Sequence, residues 1–460
     1  MKTVKLSEIK GADYNPRKLT DEAFEKLKQS LTDLGVCVPV LVNSANNTII
    51  AGHQRTKSMR ALGIEETPAI FIKNLNIGDE IKFNQVHNSI ESKDLEPTVL
   101  TKETDKIGFT EFEVKDFELG TFKIARVNEI CRLLVKYGNC FSAVIAGNEV
   151  VFSHNYVKAC ALLNMRVKAY VLPAEYLELA KYYFSQDYGE YSYDNIERHT
   201  YVQGLAQMNR NTVKTDKKQN ASQTYERLVL PFLNKFGTEL SILDFGAGKQ
   251  AYINMLKHKY DKAVGVEFYN NNGKGINTKL GHQLIDDLIA YLKTGNLFDI
   301  VVIDSVLNSV DSLKAEQSVV DIANTFLKMG GSFFVSGRNT KAIKYANENV
   351  KKKQTLKRNK DYLDEDGFRA DFREGKWYFR KFHTKRQVIN LLSDSGFEIV
   401  KSQDLDTNND AWRVHAIKRQ EISLERKIEA IDFEFNLPLP HGKNYNRHED
   451  VKRAMGLDKK

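Results

Sequence analysis

The chain contains no apolar run that approaches membrane-spanning length. It also lacks an amino-terminal leader of the charged-then-apolar kind. The expectation is therefore a protein of the cytoplasm (a bacterial host's, if phage-encoded), with no membrane as partner. Cysteine is scarce: Cys37, Cys131, Cys140 and Cys160 are the only four in 460 residues. Their spacing is neither paired nor of metal-ligand type, which argues against a disulfide framework or a thiolate metal site and suits reduced core thiols. No metal ligand set is expected from them. What is present is a hydrophobic content of 42%, that of an ordinary globular protein, and a net charge of +8. The length exceeds what one core supports, so several domains are expected.

The most informative pattern lies between residues 241 and 336. Ser241-Ile242-Leu243-Asp244-Phe245-Gly246-Ala247-Gly248 reads as a buried strand entering a glycine turn. A helix with Tyr252, Met255 and Leu256 follows, then a strand, Ala263 to Val266, ending on Glu267. Phe298 to Ile303 reads as another strand, ending on Asp304, and Gly330-Gly331 leads into Ser332-Phe333-Phe334-Val335. In a doubly wound sheet ligands sit at the carboxyl ends of the strands, so Asp244 to Gly248, Glu267 and Asp304 should cluster there. Glycines at 246 and 248 allow a sharp turn and a close backbone approach to a ligand. An acid 23 positions after Asp244 can accept hydrogen bonds from ribose hydroxyls. Dinucleotides and S-adenosylmethionine both fit that geometry. The dinucleotide fingerprint is incomplete because position 251 is Ala, and a P-loop fails because Leu243 and Gln250 occupy its required positions.

Taken together, LDFGAG, VGVE, FDIVVIDSVLNSV and LKMGGSFFVSGRN resemble a class I S-adenosylmethionine-dependent methyltransferase. Trp377 to Thr384, the stretch near Ser395-Gly396-Phe397, and Trp412 to Ile417 resemble the helix and hairpin that close that fold. The resemblance covers roughly residues 220 to 420, and DSVLNSV is similar to a methyltransferase family associated with DNA phosphorothioation clusters. It implies that Asp244, Gly246, Ala247 and Gly248 hold the methionine end, that Glu267 holds the ribose, and that Asp304 stands beside them. The Asp-Pro-Pro-Tyr of exocyclic-amine DNA methyltransferases is replaced by Asp304-Ser305-Val306-Leu307. There is no Pro-Cys nucleophile in this region either. Asp304 as base or orienter, with Asn308 and Ser309 orienting an acceptor, is one reading. A helix N-cap at Asp304 or Ser305 is the other.

The amino-terminal part carries a different signal. Thr20-Asp21-Glu22 caps a helix with Phe24, Leu27, Leu31 and Leu34 on one face, and Gly35 closes it. Val36 to Val42 reads as a strand, Asn46-Asn47 as a turn and Thr48-Ile49-Ile50 as the return strand. Gly52-His53-Gln54-Arg55 then opens a helix that stops at Gly63. Such a junction offers backbone N–H groups and a helix dipole to an anion, and Arg55 can add a bidentate phosphate contact. Asn15-Pro16-Arg17 and IIAGHQRTKSMRALG resemble the two boxes of the ParB/sulfiredoxin-like superfamily. The resemblance implies a phosphate or nucleoside triphosphate site (CTP or ATP, with magnesium) at Gly52, His53, Gln54 and Arg55, with Arg17 nearby. His53 in place of the usual Glu leaves CTP, ATP and a DNA phosphate all open. A homodimer through this half is a further implication.

A second copy follows. Arg126 to Tyr137 repeats the helix, Cys140 to Ala146 the strand, Gly147-Asn148 the turn and Glu149 to Phe152 the return. Ser153-His154-Asn155-Tyr156 stands where Gly52 to Arg55 stood, so the anion-binding chemistry is lost. Two basic runs, Arg210 to Lys218 and one with Lys351, Lys352, Lys353, Lys357 and Arg358, can neutralise nucleic-acid phosphates. The expected architecture is α/β: a ParB-like module (1–91), a degenerate second copy (112–175), linker helices (176–219), a Rossmann-like class I methyltransferase domain (220–420) and a tail (421–460). The expected function is methylation of DNA, in a phage or mobile element. Methylation of RNA or a small molecule, or a ParB-like regulator with an inactive methyltransferase domain, are the competing readings.

Overall fold

The structure is a computed structural model. It describes residues 1–15, 17–87, 96–120, 122, 124–186, 188, 190–194, 196–202, 221–271, 275–348, 363–373 and 375–458. The described residues form two compact units. One comprises Met1–Ile196 with Lys344–Glu365 and Phe372–Gly375; the other comprises Glu197–Ile343, Asp366–Asp371 and Lys376–Lys460.

The first unit begins with strand β1 (Lys2–Lys5) and helix α1 (Asp21–Leu34). Thr20 Oγ1 accepts the Ala23 N–H at 3.2 Å, which satisfies one of the free amides that a helix start leaves open. Gly35 ends the helix at φ 71°. Strand β2 (Val40–Asn43) pairs antiparallel with β3 (Thr48–Ala51), and Asn47 turns between them at φ 55°. The strand starts later than the apolar run suggests, because residues 36–39 cross from the helix to the sheet. Helix α2 (His53–Ala61) carries the chain back to β4 (Glu66–Ile72), which is parallel to β2 and antiparallel to β1. Helix α3 (Ile77–His87) completes the module.

The same order recurs. Strand β5 (Gly108–Phe112), helix α4 (Ile124–Tyr137), hairpin β6 (Ala143–Ala146) and β7 (Glu149–Phe152), helix α5 (His154–Leu163) and strand β8 (Val167–Leu172) repeat it. Strand β8 is parallel to β6 and antiparallel to β5, as β4 is to β2 and β1. The repeat therefore starts earlier than its sequence signal. Helix α6 (Leu177–Phe184) follows. One apolar core joins the copies: Leu41, Ile50, Ile70 and Phe83 pack in one cluster with Val127, Leu134, Phe141 and Val157.

The second unit is built on a six-stranded sheet. Strand β9 (Ile242–Phe245) leads through α7 (Ala251–Lys257) to β10 (Ala263–Val266), and α8 (Thr278–Leu292) precedes β11 (Phe298–Ile303). Helix α9 (Leu313–Phe326) and strand β12 (Leu327–Arg338) come next. After α10 (Lys385–Asp394) the chain ends the sheet with β13 (Phe397–Gln403) and β14 (Ala411–Lys418). The order is β10-β9-β11-β12-β14-β13. The first four strands are parallel, and β14 runs antiparallel to both β12 and β13. This is a Rossmann-like α/β sheet closed by the hairpin the sequence suggested. Among the described residues β10 is the edge on its side, and no third parallel strand lies outside it.

The polar tail is folded into this unit. It forms α11 (Leu424–Glu434) and α12 (His448–Ala454). Phe435 sits between Phe245, Phe268 and Phe326, with ring centroids 6.2, 5.6 and 6.0 Å away. The Tyr445 hydroxyl donates to the Phe268 carbonyl. Arg426 holds Asp321 of α9 through its Nη2 at 2.6 Å.

Candidate functional site

A cavity of about 390 Å³ opens at the carboxyl ends of β9, β10 and β11, and Gly246, Gly248, Glu267, Asp304 and Asn308 all line it. The parallel strands bring their carboxyl ends to one edge, so residues from widely separated segments meet there. Gly246 turns at φ 85°, and a Cβ on it would meet Val306 Cγ2 at 2.3 Å. Gly248 turns at φ 55° and has nothing within 4 Å of its Cβ position. The first glycine is required by packing of the loop after β9 against the loop after β11. The second leaves its backbone open to a ligand.

Glu267 organises the turn. Its Oε2 accepts the Gly248 N–H at 2.8 Å and its Oε1 accepts the Tyr269 N–H at 2.9 Å. Burial raises its pKa, and these backbone hydrogen bonds work against that rise. Each carboxylate oxygen keeps a lone pair that a ribose hydroxyl can use.

Asp244 and Ala247 do not line the cavity; Asp244 lies buried at the end of β9. Its Oδ2 accepts the Tyr225 hydroxyl at 2.6 Å, while Oδ1 has no hydrogen-bond partner. Burial pushes its pKa up to about 7, and the Tyr225 hydrogen bond opposes that. A buried acceptor without a donor is costly, and a ligand ammonium is one donor that would satisfy it. Because the folded-state pKa is raised above the ordinary carboxylate value, folding is favoured at low pH. That contribution is lost as pH rises from about 4 to about 7. Asp244→Asn keeps the acceptor for Tyr225 and removes the charge. Its melting temperature should exceed that of the natural protein by several degrees at pH 8 and by clearly less at pH 5. An equal difference at both pH values in calorimetry would contradict the assignment.

Asp304 is held in place. Its Oδ1 accepts from Thr224 Oγ1 and Ser336 Oγ, each at 2.7 Å, and from Ser305 Oγ at 3.4 Å. Ser305 turns at φ 65°, and helix α9 begins at Leu313 with Ser312 as its cap. Neither Asp304 nor Ser305 is therefore a helix N-cap. Asn308 is buried, and its carbonyl accepts the Lys381 N–H at 3.3 Å. The sequence reading missed Tyr225, Thr224 and Ser336, and it missed Phe433, Glu434 and Leu437 of the tail, which also line the cavity. Ser336 lies within the quoted LKMGGSFFVSGRN stretch but is not marked by it, and the other five stand in no motif.

The first unit has its own cavity, of about 620 Å³, lined by Gly52, His53, Gln54 and Arg55. Phe152 of β7 and Tyr182 of α6 also line it, so the second copy contributes a wall. Gly52 adopts φ 99°, where a Cβ would meet Val40 Cγ1 at 2.6 Å. His53 Nε2 accepts the Ala12 N–H at 3.1 Å, and burial lowers its pKa to about 4, so the ring is neutral. Arg55 does not stand free for a bidentate phosphate contact. Its Nη1 donates to the Val38 carbonyl at 2.6 Å and its Nη2 to that of Pro39 at 3.4 Å, so the guanidinium braces the crossing segment 36–39. Tyr156 at the matching place does the same work: its hydroxyl donates to Asn139 Oδ1 at 2.7 Å. The Arg17 side chain lies outside the described residues. So do Lys351, Lys352, Lys353, Lys357 and Arg358, and the run from Arg210 to Lys218.

Residues 1–89 match the family of the ParB N-terminal domain. No curated protein matches the chain. Among solved structures, the chain is similar to the N-methyltransferase NodS from Bradyrhizobium japonicum bound to S-adenosyl-L-homocysteine. That match has 12% identity, spans 48% of this chain and 100% of that one, and has a TM-score of 0.30. Another is magnesium protoporphyrin IX methyltransferase from Synechocystis, also with bound S-adenosylhomocysteine (16% identity, 47% of this chain, 93% of that one, TM-score 0.28). A third is an S-adenosylmethionine-dependent methyltransferase from Methanosarcina mazei, at 16% identity, 42% and 98% coverage and a TM-score of 0.29. Among the described residues no helix is long and apolar enough to cross a membrane.

Proposed function

We propose that the second unit is an S-adenosylmethionine-dependent methyltransferase that acts on DNA. The observation that carries the reading is one cavity, at the carboxyl ends of three parallel strands, lined by the glycine turn, Glu267 and Asp304. The open backbone at Gly248 and the Glu267 carboxylate beside it suit a nucleoside with an amino-acid end. When bound, the cofactor supplies an electrophilic methyl group. Glu267 binds the ribose hydroxyls and keeps the turn in shape. Asp244, behind the turn and outside the cavity lining, holds Tyr225 and sets the end of β9 from which the glycine turn leaves. Asp304, fixed by Thr224 and Ser336, orients the acceptor together with Asn308.

DNA as substrate is supported by the ParB N-terminal match at residues 1–89 and by the net charge of +8. A phosphate-bearing ligand, a nucleoside triphosphate with magnesium or a DNA phosphate, binds the first unit at the Gly52 turn. There the α2 amides rather than Arg55 meet the anion. A target base in a duplex must be flipped out to reach the cavity of the second unit. The test is to supply methyl-labelled cofactor with duplex DNA, RNA and a metabolite extract, and to identify the product by nucleoside mass spectrometry. Label in a DNA nucleoside, lost in Asp304→Ala, is the expected result. Label confined to RNA or a metabolite would refute the choice of substrate.

A further inference from the structure

The cofactor cavity has a second ionisable wall that motif reasoning does not reach. Glu434 is the last residue of α11 and is 4% exposed, yet it lines the cavity. Its carboxyl makes no hydrogen bond or ion pair among the described residues, unlike Glu267 and Asp304. Burial, and Asp311 close by, push its pKa up to about 8. The carboxyl oxygens of Glu434 are not fully enclosed, so the group faces the cavity and is placed to meet something polar in whatever fills it.

Its place defines what that something is. On the cofactor reading the methionine end belongs at the Gly246 to Gly248 turn, and Glu267 takes the ribose. The apolar part of the lining includes Phe268, Tyr269, Val310, Ala315, Val319 and Leu437. An apolar lining of this kind suits a flat purine, and Glu434, which sits next to Phe433 and near Leu437 in the tail, is an acidic side chain available to meet the purine's polar edge. Among the described residues β10 is a sheet edge, and the carboxyl-terminal segment packs on the residues just after it: Phe435 rests on Phe268, and Tyr445 bonds the Phe268 carbonyl. We propose that Glu434 is the adenine-recognising residue of the cofactor site, accepting a hydrogen bond from the exocyclic N6 amine. In its neutral form the same carboxyl also donates its O–H to N1. The proposal rests on the reading of this cavity as a nucleoside cofactor site.

The test is calorimetric titration of the full chain with S-adenosylhomocysteine and with its N6,N6-dimethyl analogue, which has no N–H to donate. The natural protein should bind the analogue at least 10-fold more weakly. Glu434→Gln keeps an acceptor and a donor in the same shape and should hold S-adenosylhomocysteine within about threefold of the natural affinity. Glu434→Ala should lose about 10- to 100-fold, the range that an unmade buried hydrogen bond costs, and should cease to discriminate against the analogue. Its melting temperature should not fall, since it removes a buried group without a partner, so loss of fold is separable from loss of recognition. If the natural protein binds S-adenosylhomocysteine and Glu434→Ala matches it on both ligands, the role of Glu434 is overturned while the cofactor reading stands. If the natural protein, folded, binds neither ligand, the cofactor reading itself fails and the role of Glu434 with it.

Discussion

Glu267→Ala should lower the affinity for S-adenosylhomocysteine by at least about 100-fold, the largest single-residue effect expected on binding. Two losses combine. The ribose loses a charged acceptor, whose hydrogen bonds contribute about 1.5–3 kcal/mol each. The turn loses its organiser, because the Gly248 and Tyr269 amides, now held at 2.8 and 2.9 Å, are left without an acceptor. Glu267→Gln should fall between the two, since an amide offers one acceptor oxygen where the carboxylate offers two. Isothermal titration of both variants gives the order directly. An alanine variant that stays folded and binds within threefold of the natural protein would remove Glu267 from the site.

The largest loss of stability is expected at Phe435. Its ring is fully buried and joins three others, one from β9, one beyond β10 and one from α9. Phe435→Ala should cost about 3–5 kcal/mol, the range for removing a core aromatic without collapse of the space. In urea the unfolding midpoint of the second unit should shift by more than for any exposed substitution in the same helix. Cofactor affinity should fall with it, because Phe433 and Glu434 stand on the same turn and line the cavity. A loss below about 1 kcal/mol would mean that the carboxyl-terminal segment is an appendage rather than part of the core.

The cofactor site was legible where its residues are consecutive. Asp244, Gly246, Gly248 and Glu267 fall within one strand-turn-helix-strand unit, and local pattern is enough to place them. Glu434 and Tyr225 reach the same place from opposite ends of the second unit, and nothing in their neighbours marks them. The hairpin at Trp412 is legible through the resemblance, and its strand alternates buried and half-buried residues. Sequence spacing places Arg55 at the turn but does not show that its guanidinium also binds the Val38 and Pro39 carbonyls. Tyr156 makes the point from the other side. A neutral hydroxyl suffices where only bracing is needed, so the change from Arg to Tyr did not dismantle the loop.

The shared core of the two amino-terminal copies changes what counts as a unit. The family match ends at residue 89, but Leu41, Ile50, Ile70 and Phe83 on its side of the boundary are covered by Val127, Leu134, Phe141 and Val157 on the other. A fragment cut at that point would present a bare apolar face to water, and such a face drives self-association. The smallest piece able to fold, be inherited or be transplanted is then the pair. Substitutions on the second copy's side of that core are then expected to affect the solubility of the first.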